Sequence, residues 1–341
     1  MHVINFNQFV SLHKPQVTGE IRQAIEDFKV VENLGFTPSG EGSHLWLYIE
    51  KQDLNTVNVA QQLAQYFSVR IADIGYSGLK DKRAITQQWF SVPGSAETTD
   101  LASLDNQKLR VLKSLKHHSK LKRGTHKSNS FELVIRKILG ETATLNQVLD
   151  QIALSGVPNY FGPQRFGNNS HNVEQALKLF AGQIKPDRTA RSMYLSAARS
   201  YLYNLILAQR IAQGTWDTAL VGDAMSLAGS NSYFLCEEID SEIIRRLAEQ
   251  DIHPSGAMWG KGELVTTGAV ASLEQSVIDQ NVLLADGLCK QGLKQSRRAL
   301  RLIAQDLAYH WEGNSTLTLN FTLPKGAFAT SLLREVVKLE P

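Results

Sequence analysis

Strand-like segments near both ends of the chain enclose a helix-rich middle, and this order restricts the fold more than any other feature. Alternating apolar residues predict strands at residues 44–51 and 128–138, and again at residues 315–323. Helical periodicity dominates residues 172–294 between them. Strands from both ends of a chain can share one sheet if the middle folds separately. The order therefore predicts an α+β protein with one discontinuous sheet domain and an inserted second domain.

Length and composition are those of a globular protein with about two domains. The chain has 341 residues, of which 43% are hydrophobic and 20% charged, and no apolar run approaches a membrane span of roughly 20 residues. The first residues lack the charged start and apolar centre of a signal peptide, so we expect a cytoplasmic protein. Cys236 and Cys289 have no CxxC or histidine spacing beside them, which argues against a zinc site and a disulfide framework.

One predicted turn carries an acidic residue among cations. The turn lies between predicted strands at residues 71–79 and 85–92, and its acid is Asp81. Three basic residues adjoin it in the sequence: Lys80, Lys82 and Arg83. Nearby cations favour the charged form of a carboxyl group, and an ionised carboxylate in a tight turn can act as a nucleophile. An ordinary solvated turn has the same composition.

A basic segment follows this turn. Residues 106–131 contain no acidic residue, and the positive field of such a segment attracts a phosphate backbone. Lys120, Lys122 and Arg123 are its candidate RNA-backbone contacts. A solvated basic loop is the alternative interpretation.

Aromatic residues complete the pattern. Five phenylalanines are predicted to lie exposed in loops: Phe28, Phe131, Phe161, Phe166 and Phe328. Aromatic rings beside cations stack a splayed-out base and hold its backbone. The chain lacks the phosphate-binding GxxxxGK[ST] loop, the zinc motif HExxH and the GxSxG elbow. These observations favour a cofactor-free RNA-modifying enzyme.

Several ordered motifs carry a family resemblance over nearly the whole chain. They are EDFKVVENLGFTPSGEGSHLWLYIEK, GLKDKRAITQQWFSV, HKSNSFELVIR, GVPNYFGPQRFGNNSHN, LSAARSYLYN and LPKGAFATSLLREV. Together they resemble the TruD family of pseudouridine synthases, which convert uridine 13 of tRNA to pseudouridine.

The resemblance implies a pseudouridine synthase catalytic domain with a central mixed sheet. It assigns residues 1–155 and 304–341 to this domain and residues 156–303 to an inserted α/β domain, the TRUD domain. It implies no metal and no cofactor, because the reaction is an isomerisation. The implied partner is tRNA, with no membrane and no obligate protein partner, and we expect a monomer.

The resemblance also implies site residues. Asp81 is the implied nucleophile: it attacks the nucleotide, the glycosidic bond breaks, the uracil turns and C5 rejoins the ribose. Attack at C1′, attack at C6 and a glycal route all stay open. Phe131 matches the residue that stacks on the target base. Other matched positions contact the substrate or the nucleophile: Phe28, Asn129, Phe328, Arg22 and Lys80.

Arg22 stands where related sequences often have lysine, and a cation there would keep Asp81 ionised. The stretch NYFGPQRFG fits a hinge between domains, and its Arg165 is also a candidate RNA contact. Two rival functions remain at this point. One is an RNA-binding protein without activity, and the other is a glycosidase, which usually needs a second acid near Asp81.

Overall fold

A computed structural model describes residues 9, 11–94, 100–167 and 171–339. Most of the N-terminal stretch and residues 168–170 of the GVPNYFGPQRFGNNSHN motif therefore lie outside the described residues. The strands are β1 (Thr18–Ile21), β2 (Phe28–Asn33), β3 (His44–Gln52), β4 (Gly75–Tyr76), β5 (Ile85–Pro93), β6 (Leu109–His117), β7 (Ser128–Leu139), β8 (Val157–Pro158), β9 (Ala224–Leu227), β10 (Tyr233–Leu235), β11 (Ile252–Met258), β12 (Ser296–Ala299), β13 (Arg301–Leu302), β14 (Gln305–Glu312), β15 (Thr316–Pro324) and β16 (Lys338–Leu339).

The α-helices are α1 (Thr56–Tyr66), α2 (Thr142–Ser155), α3 (His171–Phe180), α4 (Arg188–Ala212), α5 (Ser241–Ala248), α6 (Gly268–Asp279), α7 (Val282–Lys290) and α8 (Ala329–Val336). The chain divides into two compact units. The sheet unit comprises Gln16–Asn146, Ala304–Gly326 and the described residues from Val337 onward. The helix-rich unit comprises the described residues up to Pro15, then Gln147–Ile303 and Ala327–Val336.

A mixed sheet forms the sheet unit. Its strand order is β14-β15-β7-β2-β5-β3-β6, with β1 paired to β7 and β16, and β4 paired to β5. The β2–β5 and β1–β16 pairs are parallel and the other pairs are antiparallel. Strands from both ends of the sequence thus share one sheet, and the predicted α+β fold is confirmed.

Alternation along each strand decides which face of the sheet is buried. In β15 the residues Leu317, Leu319, Phe321 and Leu323 are buried while those between them are not. The helix α1 packs Val59 and other apolar side chains against strands β3 and β5, closing one of the hydrophobic cores of this unit.

A long helix organises the helix-rich unit. Helix α4 begins after Asp187, whose side chain accepts a hydrogen bond from the amide of Ala190. Its apolar residues, including Tyr201 and Leu202, form one core with α3, α6 and α7. A sheet of order β10-β9-β11-β12 and the short β8–β13 pair belong to the same unit. The described residues of 156–303, the predicted insertion, lie within this unit, which also includes residues 147–155 and 327–336.

One expectation about local structure is wrong. The strand predicted at residues 71–79 is a 3-10 turn at Ile71–Asp73 followed by the two residues of β4. In the residues after β4, side chains from other elements hydrogen-bond the backbone in place of strand pairing. The basic segment contains β6, which lies at an edge of the sheet, so only the rest of the segment fits the alternative of a solvated basic loop. Lysines suit such an edge, since they discourage pairing with another chain.

Within the described part of the chain, we find no helix with the length and apolar character to cross a membrane.

Candidate active site

Asp81 lies in an irregular loop, residues 77–84, between β4 and β5 of the sheet unit. Its side chain is 36% exposed, and its Oδ1 accepts a hydrogen bond from Nη2 of Arg22 at 3.0 Å. The guanidinium of Arg22 also lies over the ring of Phe28, 4.1 Å from the centroid. One arginine therefore joins the acid to the aromatic residues of the sheet.

The backbone of Arg22 is held in an uncommon conformation. Its φ is +59°, in the left-handed region that side chains other than glycine rarely adopt. Such conformations persist where surrounding contacts impose them, and they concentrate at functional sites. At this position the side chain of Arg22 forms an ion pair with Asp81 and stacks on Phe28.

Lys51 anchors the backbone of the Asp81 loop. Its side chain is fully buried at the end of β3, and its Nζ donates to the carbonyl oxygens of Leu54 at 2.6 Å and Asp81 at 2.8 Å. Burial lowers the pKa of Lys51 to about 8, although the charge of Asp81 acts to raise it. A buried ammonium therefore lies behind the acid and fixes its main chain.

A second set of hydrogen bonds holds the rest of the loop to α1 and β5. The hydroxyl of Thr56 accepts from the amide of Lys80 at 3.0 Å and donates to Oε1 of Gln88 at 2.9 Å. The side-chain Nε2 of Gln88 donates to the carbonyl oxygen of Gly78 at 3.2 Å. Side chains thus replace strand pairing at this point and hold the backbone of the loop.

Lys80 does not pair with Asp81, which corrects the prediction that the sequence neighbours surround the acid. Its Nζ donates to Oε2 of Glu32 at 2.5 Å, and both side chains are buried. The other oxygen of Glu32 accepts from the amide of Trp89 at 3.1 Å. Lys82 and Arg83 are exposed. The cation at the carboxylate is Arg22, which lies 59 positions away in the sequence.

A neutral histidine closes the loop on its other side. Nδ1 of His126 and the hydroxyl of Ser77 lie 2.6 Å apart, and the amide of His126 donates to the same hydroxyl at 2.8 Å. Burial, followed by the charges of Lys80 and Lys325, lowers the pKa of His126 to about 4. His126 is therefore uncharged at neutral pH and acts as a hydrogen-bonding strut.

Aromatic side chains line the sheet beside Arg22. Phe28 and Phe131 meet edge to face with centroids 6.4 Å apart, and Phe131 stacks on Phe321 at 5.2 Å. Phe131 is partly exposed, whereas Phe28 is only 3% exposed. Asn129 shares the strand face of Phe131, as predicted, and its Oδ1 is buried with no hydrogen-bond partner among the described residues. An unpaired buried acceptor is costly, and the donor of a ligand would satisfy it.

The remaining aromatic predictions are partly wrong. Phe28, Phe161 and Phe166 are buried, because the first lies in β2 and the other two pack in the core of the helix-rich unit. Phe328 belongs to the helix-rich unit, 6.3 Å from Phe161 in centroid distance. Arg165 lies in the same cluster, with its guanidinium 5.5 Å from the ring of Phe328.

The three candidate RNA contacts of the basic segment differ in their partners within the protein. Lys122 is exposed, whereas Arg123 stacks on Tyr76 at 3.7 Å and Lys120 donates to the carbonyl of Ala72. Two of the three predicted backbone contacts thus also serve the sheet unit itself.

Sequence reasoning missed the anchors of the loop: Lys51, Glu32, Thr56, Gln88 and His126. One of them left a signal. Lys51 continues the inward alternation of Leu47 and Ile49, and a lysine at an inward strand position indicates a specific partner. Within the described residues, no three His, Cys, Asp or Glu side chains are grouped to hold a metal ion.

Comparison with known proteins gives a consistent result. The sequence profile described as tRNA pseudouridine synthase D (TruD) matches residues 4–182 and 184–336. The tRNA pseudouridine synthase D of Methylococcus capsulatus is 44% identical over 326 residues, covering 95% of this chain and 92% of the relative. That of Hydrogenovibrio crunogenus is 42% identical over 332 residues, covering 96% and 95%.

A solved structure shows the same fold. The crystal structure assigned to the tRNA pseudouridine synthase D (TruD) of Methanosarcina mazei superposes with a TM-score of 0.76 at 23% identity, covering 100% of this chain and 99% of that one. The profile match and the identities together establish the family. The chain belongs to the tRNA pseudouridine synthase D (TruD) family.

Proposed function

We propose that this protein converts uridine 13 of tRNA to pseudouridine, with Asp81 as the nucleophile and no cofactor. The observation that carries the proposal is the partly exposed carboxylate of Asp81, bound by Arg22 at 3.0 Å beside the Phe28–Phe131–Phe321 aromatic residues. The names of the relatives support tRNA as the substrate. We further propose a monomer that acts in the cytoplasm, with the catalytic domain and the TRUD insertion divided as the sequence predicts.

Each site residue has a role in this proposal. Phe131 stacks on the target uracil, which must leave the RNA stack before it can react. Asn129 hydrogen-bonds the base through its unpaired Oδ1, and Phe28 and Phe328 contact the substrate. Asp81 attacks the nucleotide, the glycosidic N1–C1′ bond breaks and the uracil turns. C5 then bonds to C1′, the carboxylate of Asp81 is released from the nucleotide, and C5 loses a proton while N1 gains one.

Arg22 holds the carboxylate of Asp81 in an ion pair at 3.0 Å until the substrate arrives. Lys80 has an indirect role, since its ion pair with Glu32 supports the loop that carries Asp81. Lys122 contacts the tRNA backbone. Lys120, Arg123 and Arg165 also contact it, although each of these side chains has a partner within the protein as well.

The test is pseudouridine mapping on an unmodified tRNA transcript that carries U13. Purified wild-type protein without added cofactor should convert that single uridine. Asp81→Asn keeps the shape of the side chain and removes its charge, so it should bind the tRNA and lose turnover. Conversion by Asp81→Asn would refute the nucleophile, and tight binding without conversion by wild type would favour an RNA-binding protein.

A further inference from the structure

A second basic stretch without acids lies near the end of the predicted insertion. Residues 287–303 contain no acidic residue and five cations: Lys290, Lys294, Arg297, Arg298 and Arg301. Arg297 is buried in an ion pair with Glu274 at 2.8 Å, and Arg301 donates to the carbonyl oxygen of Ser155 at 2.6 Å. The two lysines are exposed, and neither forms an ion pair within the part of the chain that the structure describes.

Lys294 has another lysine as its neighbour. Lys261, which follows β11, is the partner of Lys294 in an isolated β-bridge. The amide of Lys261 donates to the carbonyl oxygen of Leu293 at 2.5 Å, and its carbonyl oxygen accepts from the amide of Gln295 at 3.1 Å. Paired segments lie about 4.8 Å apart and bridge partners point to the same side, so two like charges are placed side by side. Lys261 is also exposed.

The fold imposes this pairing. Nη2 of Arg199 in α4 donates to the carbonyl oxygens of Met258 at 2.7 Å and Lys294 at 2.6 Å, and so ties the two segments together. At Gly260 an added Cβ would lie within 2.4 Å of the carbonyl oxygen of Leu293, so the close approach of the segments requires glycine there. The main chains of the two lysines are therefore held side by side although their charges repel.

A third cation is attached to the same segment. Arg191 lies in the first turn of α4, where the helix dipole disfavours positive charge. Its Nε and Nη2 donate to the side-chain oxygen of Gln291 at 3.0 and 2.6 Å. A neutral amide thus orients the guanidinium without supplying a counter-charge. The nearest acid in the sequence, Asp187, caps α4 by accepting from the amide of Ala190 at 2.8 Å.

We propose that Lys261, Lys294 and Arg191 bind phosphates in the backbone of the RNA substrate. A phosphate between the paired lysines would remove their repulsion, and a guanidinium binds phosphate oxygens through paired N–H donors. An RNA backbone carries its phosphates in series, so one chain can occupy the lysine pair and Arg191 together. The proposal rests on the proposed function for the identity of the RNA, a tRNA with U13.

Reversing one lysine charge distinguishes this role from a structural one. Lys261→Glu places a carboxylate beside Lys294, so the unfolding temperature of the free protein should rise by about 1–2 °C. The same variant should bind U13 tRNA about tenfold more weakly at physiological salt. Its slope of log Kd against log salt should be smaller by about 0.7–0.9, the value for one phosphate. KM should rise and kcat should stay unchanged, because the lysine pair is not part of the Asp81 site.

The double reversal of Lys261→Glu with Lys294→Glu restores a pair of like charges. It should lose the gain in unfolding temperature and bind tRNA more weakly than either single variant. Lys178→Glu is the matched control, because Lys178 is an exposed lysine on α3 and the substitution changes the net charge equally. This control should keep the Kd and the salt slope of wild type.

Two results would overturn the phosphate-binding surface. Lys261→Glu could bind tRNA as Lys178→Glu does, or its unfolding temperature and its tRNA binding could fall together, which would show that the lysines serve folding. Weakened binding by Lys261→Glu, together with a wild type that does not convert U13, would refute the proposed function and leave the RNA surface in place. Conversion of U13 with the same Kd in every variant would refute the surface alone.

A measurement on unmutated protein covers the case in which a variant does not fold. Acetic anhydride acetylates exposed lysines, and mass spectrometry locates the label. U13 tRNA should slow the acetylation of Lys261 and Lys294 in wild type and leave that of Lys178 unchanged. Equal rates with and without tRNA would refute the site.

Discussion

Two buried or half-buried cations serve Asp81 in different ways. Arg22 binds the carboxylate, whereas Lys51 binds the backbone carbonyl of the same residue. The first contact can be exchanged for a substrate contact during a reaction. The second lies below the loop and is fully buried, so it stays in place while the carboxylate reacts. We therefore expect Lys51 to act as a positioning residue for the proposed nucleophile.

Lys51→Met should lower kcat about 10–100-fold and leave the KM for tRNA nearly unchanged, because it releases the loop without touching RNA contacts. In wild type, kcat should fall as pH rises through about 8, where Lys51 loses its proton and its charge-assisted hydrogen bonds weaken. The charges that set this pKa are Asp81, which raises it, and Lys80, which lowers it. The measurement is a pH profile of kcat for both proteins.

Stability should move in the opposite direction over the same range. Between pH 8 and the ordinary value of 10.5, the folded protein has released the proton of Lys51 while the unfolded chain still binds it. The unfolding free energy of wild type relative to Lys51→Met should therefore rise with pH in this window. A kcat profile that is identical in both proteins, or a relative stability that falls, would contradict the role of Lys51.

The sequence identifies Asp81 and the strand face of Phe131 but not the partners around them. Local charge suggests Lys80 as the cation at the acid, yet Lys80 pairs with Glu32, which is 48 positions away. Sheet pairing brings β2 next to both β5 and β7, and no local pattern specifies that order. Placements along one strand could be predicted, and contacts that depend on neighbouring strands could not.

The basic side chains of the edge strand β6 and those of the loop after it have different roles. Lys113 and Lys116 project from β6 at the sheet edge, where positive charge prevents pairing with another strand. Lys120 and Arg123 tie the following loop to Ala72 and Tyr76. Of the three predicted contacts, Lys122 is the one whose charge has most freedom to meet RNA.

Lys122→Ala should raise the KM for tRNA a few-fold and lower the salt slope by up to about 0.9, because one phosphate contact is lost. Lys108→Ala is the matched control, since Lys108 is exposed in the same segment and paired with Asp53 at 3.2 Å. Lys120→Ala should instead lower the unfolding temperature. An unchanged salt slope for Lys122→Ala would show that this loop faces away from RNA.

Each unit of the molecule has its own core and an arginine that pairs with a buried carboxylate. In the helix-rich unit, Arg210 donates to both oxygens of Asp223 at 2.7 and 3.0 Å, with both side chains almost fully buried. In the sheet unit, Arg136 makes a comparable double contact with Asp27. The order of predicted elements was sufficient to foresee the α+β fold. These pairs were not foreseeable, because each joins positions whose proximity depends on the completed fold.

Arg210→Met should lower the unfolding free energy by about 3–5 kcal/mol, because it leaves the carboxylate of Asp223 buried without its cation. Urea unfolding followed by hydrogen exchange would report the loss and locate it in the helix-rich unit. Arg245→Met removes an exposed pair in the same unit and should cost at most about 1 kcal/mol. Equal effects of the two substitutions would contradict the buried pair's importance.

The position of Arg22 over Phe28 has a consequence for the timing of the proposed reaction. Phe28 is only 3% exposed, with the guanidinium of Arg22 on its face. A nucleotide that is to touch Phe28 must first displace that guanidinium, and the same displacement separates Arg22 from Asp81. Arrival of the nucleotide would then release the carboxylate at the moment its target is in place. Arg22 would thus keep Asp81 unreactive until the substrate displaces the guanidinium.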